Sequence, residues 1–207
     1  MPSAPTLVLG TRNRKKGAEL VELLAPVGLT IKTLADFPDS LEIEETGDSF
    51  AANAALKAVT QAKHLATWVL GEDSGIAVDA LKGAPGIYSA RFAGPQATDA
   101  ANNRRLLAEL GDTPPERRTA HYECHLVLAD PRGAVRAQCA GMCRGRIRFE
   151  PAGSAGFGYD PLFEVVEYHH TFGELGEAVK AVLSHRARAV EQLRPRLMEL
   201  VDLGEWV

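Results

Sequence analysis

A short apolar run at residues 6–11 (TLVLGT), closed by glycine and polar residues, reads as a buried strand. Residues 13–24 follow with Leu20, Leu23 and Leu24 at helical spacing, and 28–34 (GLTIKTL) alternate as a second strand. Strand, loop, helix, strand is the opening of an α/β architecture, because the helix must cover the sheet that its two flanking strands build. A chain of 207 residues suits one domain with two lobes, spanning 1–207, and buries a sizeable core without staples.

Further along, residues 49–66 are rich in alanine with Phe50, Leu56 and Leu65 as apolar anchors, a helix that Asp48 or Ser49 can cap. Residues 68–81 read as two short extended pieces around a tight turn at Glu72-Asp73-Ser74-Gly75. Residues 83–94 form a structured loop, and 98–110 a helix with Leu106, Leu107 and Leu110 on one face. The stretch DTPPE at 112–116 is the clearest internal hinge. Residues 119–129 and 134–149 are extended around Asp130-Pro131-Arg132-Gly133, which predicts a long hairpin. A glycine-rich loop spans 153–160, and 172–180 and 184–201 are the final helices.

The net charge of −4 argues against a basic nucleic-acid surface, so no nucleic acid partner is expected. The start lacks a basic region followed by an apolar stretch, and no apolar run is long enough to span a bilayer, so a soluble, cytoplasmic chain without membrane contact is expected. Three cysteines, Cys124, Cys139 and Cys143, do not make a disulfide framework. A zinc site with His121 and His125 is disfavoured: strand neighbours face opposite ways, and Cys139 and Cys143 would stand about 13 Å apart.

Five clusters carry chemistry. Thr11-Arg12-Asn13-Arg14-Lys15-Lys16 opens a helix, where free backbone N–H groups and the Asn13 and Lys16 side chains suit phosphate. Glu45 stands just before a helix on which Asn53 and Lys57, four apart, share a face. Glu72 and Asp73 are adjacent carboxylates that call for a hard divalent cation, with Ser74 and Gly75 allowing close approach of a ligand. Gly156-Phe157-Gly158-Tyr159-Asp160-Pro161 makes a slot for a flat base, with Asp160 accepting from a ring N–H. Lys180, with Ser184-His185-Arg186 at a helix start, offers further donors. Together these are the parts of a nucleotide phosphohydrolase.

Those clusters, quoted as TRNRKK (11–16), EETGDSFAANAALKA (44–58), EDSGIAVDALKGAPGIYSARFAG (72–94), GFGYDP (156–161) and SHRARA (184–189), resemble the inosine triphosphate pyrophosphatases, which act on non-canonical purine nucleoside triphosphates. The resemblance covers residues 7 to about 189. It implies a mixed β-sheet with flanking helices, in two lobes around a deep cleft, and a homodimer. The implied reaction converts inosine, deoxyinosine or xanthosine triphosphate to monophosphate and pyrophosphate with Mg2+, Mn2+ being a substitute. Thr11, Asn13 and Lys16 match the triphosphate loop, and Lys57 and Ser74 the phosphate side. Glu45 and Glu72 match metal positions; Asp73 matches the general base, also within reach of metal. Phe157, Gly158, Tyr159 and Asp160 match the base slot, and Lys180, His185 and Arg186 the base-reading end. Two departures stand out: Glu72 replaces the usual aspartate, and Val179-Lys180-Ala181 replaces Glu-Lys-Asn.

The resemblance implies that Arg186 and His185 donate to a purine 6-oxo group, and that metal keeps Asp73 basic at neutral pH. Two other readings share some of the features. One is a Maf-like nucleotide pyrophosphatase with other base preferences; the other is a non-enzymatic nucleotide- or RNA-binding module, which the negative charge and the Glu45, Glu72, Asp73 set oppose.

Overall fold

The computed structural model describes residues 5–206. The strands are β1 (Thr6–Leu9), β2 (Thr30–Thr33), β3 (Val69–Val78), β4 (Thr119–Ala129), β5 (Val135–Ile147), β6 (Phe163–Val165) and β7 (His170–Thr171). They form one mixed sheet in the order β2-β1-β3-β4-β5-β6-β7. β1 runs parallel to both β2 and β3, whereas β6 is antiparallel to β5 and β7. The helices are α1 (Arg14–Leu24), α2 (Phe50–Leu65), α3 (Asp99–Leu110), α4 (Phe172–Leu183) and α5 (His185–Asp202). The expected mixed α/β fold is therefore the observed one.

The chain divides into two compact units. One runs to Asp73 and adds Cys124–Gly141 and the segment from Arg186; the other holds Ser74–Glu123 and Met142–His185. The 112–116 stretch is thus no hinge between them. It lies inside the second unit, where Pro115–Arg117 makes a short 3-10 turn into β4.

In the first unit strand alternation sorts the core into two layers. Leu7, Leu9, Leu70, Cys124, Leu126 and Leu128 face the leucines of α1 and α5, whereas Val8, Val69, Val127 and Ala129 face α2. The alanines of α2 allow a close approach: a Cβ on Gly71 would collide with the Ala54 carbonyl and lie 2.7 Å from Ala58 N. Ser49 caps α2 by accepting from Ala52 N–H, at 3.3 Å. The second unit has an aromatic core, with Tyr122, Phe163 and Phe172 among Ile76, Leu106 and Ile147.

Between β4 and β5 the Asp130 side chain accepts from the backbone N–H groups of Arg132 and Ala134, as the expected turn requires. The expected break at Glu72–Gly75 is absent. β3 is continuous for ten residues, nearly all buried. A central strand covered on both faces needs no alternation, so polar residues within it mimic a turn.

Candidate active site

Continuity of β3 sends Glu72 and Asp73 to opposite faces, and each finds its own cations. Asp73 Oδ1 accepts from Lys57 Nζ at 2.9 Å, and Oδ2 from Asn53 Nδ2 at 3.3 Å. Both donors sit on the face of α2 that their four-residue spacing predicts. Lys57 also reaches Glu45 Oε1 at 3.0 Å, so one ammonium joins two carboxylates from different segments. Asn53 in turn accepts from Gly47 N–H at 2.8 Å, which ties the loop carrying Glu45 to α2.

Glu72 is fully buried and meets Lys16 Nζ at 3.1 Å and Arg186 Nη2 at 3.0 Å. The Cys124 thiol points at Glu72 Oε1 from 3.6 Å. Arg186, 1% exposed, also pairs with Glu19 of α1. Burial raises the Asp73 pKa, against the pull of Lys57 and Lys16. Burial alone would lower the Lys57 and Arg186 pKa values, but the surrounding carboxylates hold both above their ordinary values. Glu72 and Asp73 are therefore satisfied by lysine and arginine. Among the described residues no group of three or more His, Cys, Asp or Glu side chains converges as around a bound ion.

At the start of α1, Asn13 does something other than expected. Its Oδ1 accepts from Lys15 N–H at 3.0 Å and Lys16 N–H at 3.2 Å, so two of the backbone groups assigned to an anion are already capped. Thr11 Oγ1 accepts from Asn13 N–H at 3.3 Å. Ser74 continues β3 on the same face as Glu72.

The base-slot loop belongs to the second unit. Asp160, 2% exposed, is its hub. It accepts from Lys180 Nζ at 2.6 Å, Phe157 N–H at 2.8 Å and Tyr122 Oη at 3.2 Å. Two of these donors share Oδ2 and one meets Oδ1, so Asp160 holds the loop in place. Gly156 has φ +76°, and a Cβ there would run into the Asp160 carboxylate. Gly158 is pinned from α3, its N–H donating to Asp99 Oδ2 and its carbonyl accepting from Asn103 Nδ2, both at 3.0 Å. Tyr159 is buried and donates to Ser89 O at 2.8 Å, which makes it an anchor beneath the loop and leaves Phe157 as the slot's aromatic surface. The Lys180 ammonium lies over the Phe157 ring, 4.2 Å from its centroid.

His185 and Arg186, expected to act side by side, part company. His185 stacks on Tyr122, and the Arg186 guanidinium pairs with Glu72 and Glu19. Consecutive residues on a helix point about 100° apart, so this divergence follows from 3.6 residues per turn. Glu19, Cys124, Tyr122, Asp99 and Asn103 were not foreseen as site residues; only Asn53 carried a signal, its spacing to Lys57.

The carboxylate–cation network on a mixed α/β sheet, with an aromatic loop held by a buried aspartate–lysine pair, defines a candidate phosphate-handling enzyme. Residues 7–196 match the Ham1 family model. A dITP/XTP pyrophosphatase of Rhodopirellula baltica is 55% identical over 196 residues, covering 95% of this chain and 94% of that protein. A HAM1 protein from Coxiella burnetii superposes with a TM-score of 0.86 at 38% identity, over 94% of this chain and 99% of that one. A structure from Mycobacterium abscessus described as a nucleoside-triphosphatase and dITP/XTP pyrophosphatase gives a TM-score of 0.75 at 41% identity, over 93% and 99%. The chain belongs to the Ham1 family.

Proposed function

We propose that this protein hydrolyses non-canonical purine nucleoside triphosphates (those of inosine, deoxyinosine and xanthosine) to the monophosphate and pyrophosphate, with Mg2+ as cofactor. The observation that carries the reading is the single Lys57 ammonium held between Glu45 and Asp73, with the Lys16–Glu72 pair on the other face of the same strand. The name dITP/XTP pyrophosphatase on a relative 55% identical over nearly the whole chain supports the substrate class.

Glu45 and Asp73 fit a hard divalent ion, since both are oxygen donors that already converge on one positive charge. Magnesium normally keeps one or two carboxylates and takes its remaining ligands from phosphate and water, so a ready-made cage is not needed. When bound, the ion neutralises phosphate charge and lowers the cost of pyrophosphate departure. Glu72, the third metal candidate, releases Lys16 toward the phosphates in this reading.

The residues then divide the work. Lys16 and Lys57 offset charge on the triphosphate. Asp73 accepts a proton from water as its oxygen attacks the α-phosphorus, and the bond from that phosphorus to the bridging oxygen breaks. Burial raises the Asp73 pKa against the pull of Lys57 and Lys16. Phe157 offers a stacking face, and Lys180 and His185 offer donors to a 6-oxo group. The protein acts in the cytoplasm as a homodimer. Among the described residues no helix is long and apolar enough to cross a membrane.

The test compares kcat/KM for inosine and adenosine triphosphates with Mg2+, and repeats the first in excess chelator. A clear preference for inosine triphosphate, abolished by chelation and restored by Mg2+ or Mn2+, is expected. Equal use of adenosine triphosphate, or full activity in chelator, would overturn the reading.

A further inference from the structure

Tyr122 of β4, not foreseen as a site residue, touches both His185 and, in the base-slot loop, Asp160. Its ring stacks on His185 with centroids 4.7 Å apart and planes 9° apart. On other sides the same ring packs against Phe163 and Phe172, at 4.6 and 6.4 Å, so the core fixes its position. Its hydroxyl donates to Asp160 Oδ1 at 3.2 Å. The other oxygen of that carboxylate holds Lys180 Nζ and Phe157 N–H. All of these residues lie in the second unit.

A phenylalanine would fill this core position equally well. A buried hydroxyl costs free energy unless it is bonded, and here it is bonded to the one carboxylate that orients Lys180. Burial and the Asp160 charge push the phenol well above its ordinary pKa, so it stays protonated and remains a donor.

We infer that Tyr122 is a positioning residue for base selection: its ring sets the plane of His185, and its hydroxyl fixes Asp160 and hence Lys180. One strand residue thereby determines where both donors meant for the 6-oxo group stand. The inference rests on the proposed hydrolysis of purine triphosphates.

Tyr122→Phe keeps the ring and removes only the hydroxyl, whereas Tyr122→Leu removes the stack as well. For Tyr122→Phe the ratio of kcat/KM for inosine over adenosine triphosphate should fall about five- to tenfold, the scale of one lost bond to a charged group acting indirectly. The loss should appear in KM more than in kcat, since neither group touches the α-phosphorus. Calorimetry should show inosine monophosphate binding weakened by a similar factor and pyrophosphate binding unchanged. Tyr122→Leu should lose more of the ratio; if it does not fold, Tyr122→Phe decides alone. A parent that discriminates, beside a folded Tyr122→Phe variant with the parent's ratio and monophosphate affinity, overturns the inference and leaves the proposed function standing. A parent without discrimination overturns both.

Discussion

Lys57 holds Glu45 and Asp73 on one ammonium, and a second network joins Lys16, Glu72, Arg186 and Glu19. If Asp73 is the base, Asp73→Asn keeps its shape and hydrogen-bonding reach but loses its basicity. Turnover should fall about 10²- to 10⁴-fold with the fold intact, and near-parent turnover would contradict the role. Arg186→Ala strips buried Glu72 and half-buried Glu19 of a shared cation. Breaking such a pair by removing one partner costs about 3–5 kcal/mol, which denaturant unfolding would register; a loss below about 1 kcal/mol would show that the pairing adds little. Asn53 and Lys57 were legible as a pair because their shared face is read along one helix. The Glu19–Arg186 pair was not, since its members stand 167 positions apart and nothing local marks them as neighbours. Asp160 was recognised by its motif, but its occupation by three donors depends on Tyr122, which looks in sequence like any strand aromatic.

The disposition of those side chains follows from β3 and α2. Glu72 and Asp73 diverge because β3 runs straight through them, and Asn53 and Lys57 reach Asp73 because α2 presses against Gly71. Gly71→Ala should therefore push α2 away. Overpacking of this kind costs about 1–3 kcal/mol, and the turnover should drop with it because both donors to Asp73 move. An unchanged unfolding midpoint and rate would contradict the close approach. The hairpin of β4 and β5 was readable because Asp-Pro-Arg-Gly is turn chemistry that needs no tertiary help. The run Glu-Asp-Ser-Gly carries similar local signals, yet lies inside a buried strand. Its turn-like composition goes with the ion pairs of Glu72 and Asp73 and the close packing of Gly75 against Ser89, so local propensity was overridden by tertiary position.

At the scale of the molecule, the opening strand-helix-strand pattern anticipated the α/β class, and the resemblance carried by the five clusters anticipated the mixed sheet and the family. The division of the chain into units was not legible. Its boundaries fall within β3, β4 and β5 and at the start of α5, where no change of composition marks them, and the proline-rich 112–116 segment drew attention instead. Light scattering at working concentration should return twice the chain mass if the proposed homodimer forms, and a clean monomer mass would contradict it. In the proposed reaction water attacks the α-phosphorus of a purine triphosphate. Hydrolysis of inosine triphosphate with Mg2+ in 18O-enriched water tests it most directly, read by mass spectrometry of the products. The predicted result is unlabelled pyrophosphate and inosine monophosphate carrying one 18O. Orthophosphate with inosine diphosphate, or label in the pyrophosphate, would contradict it.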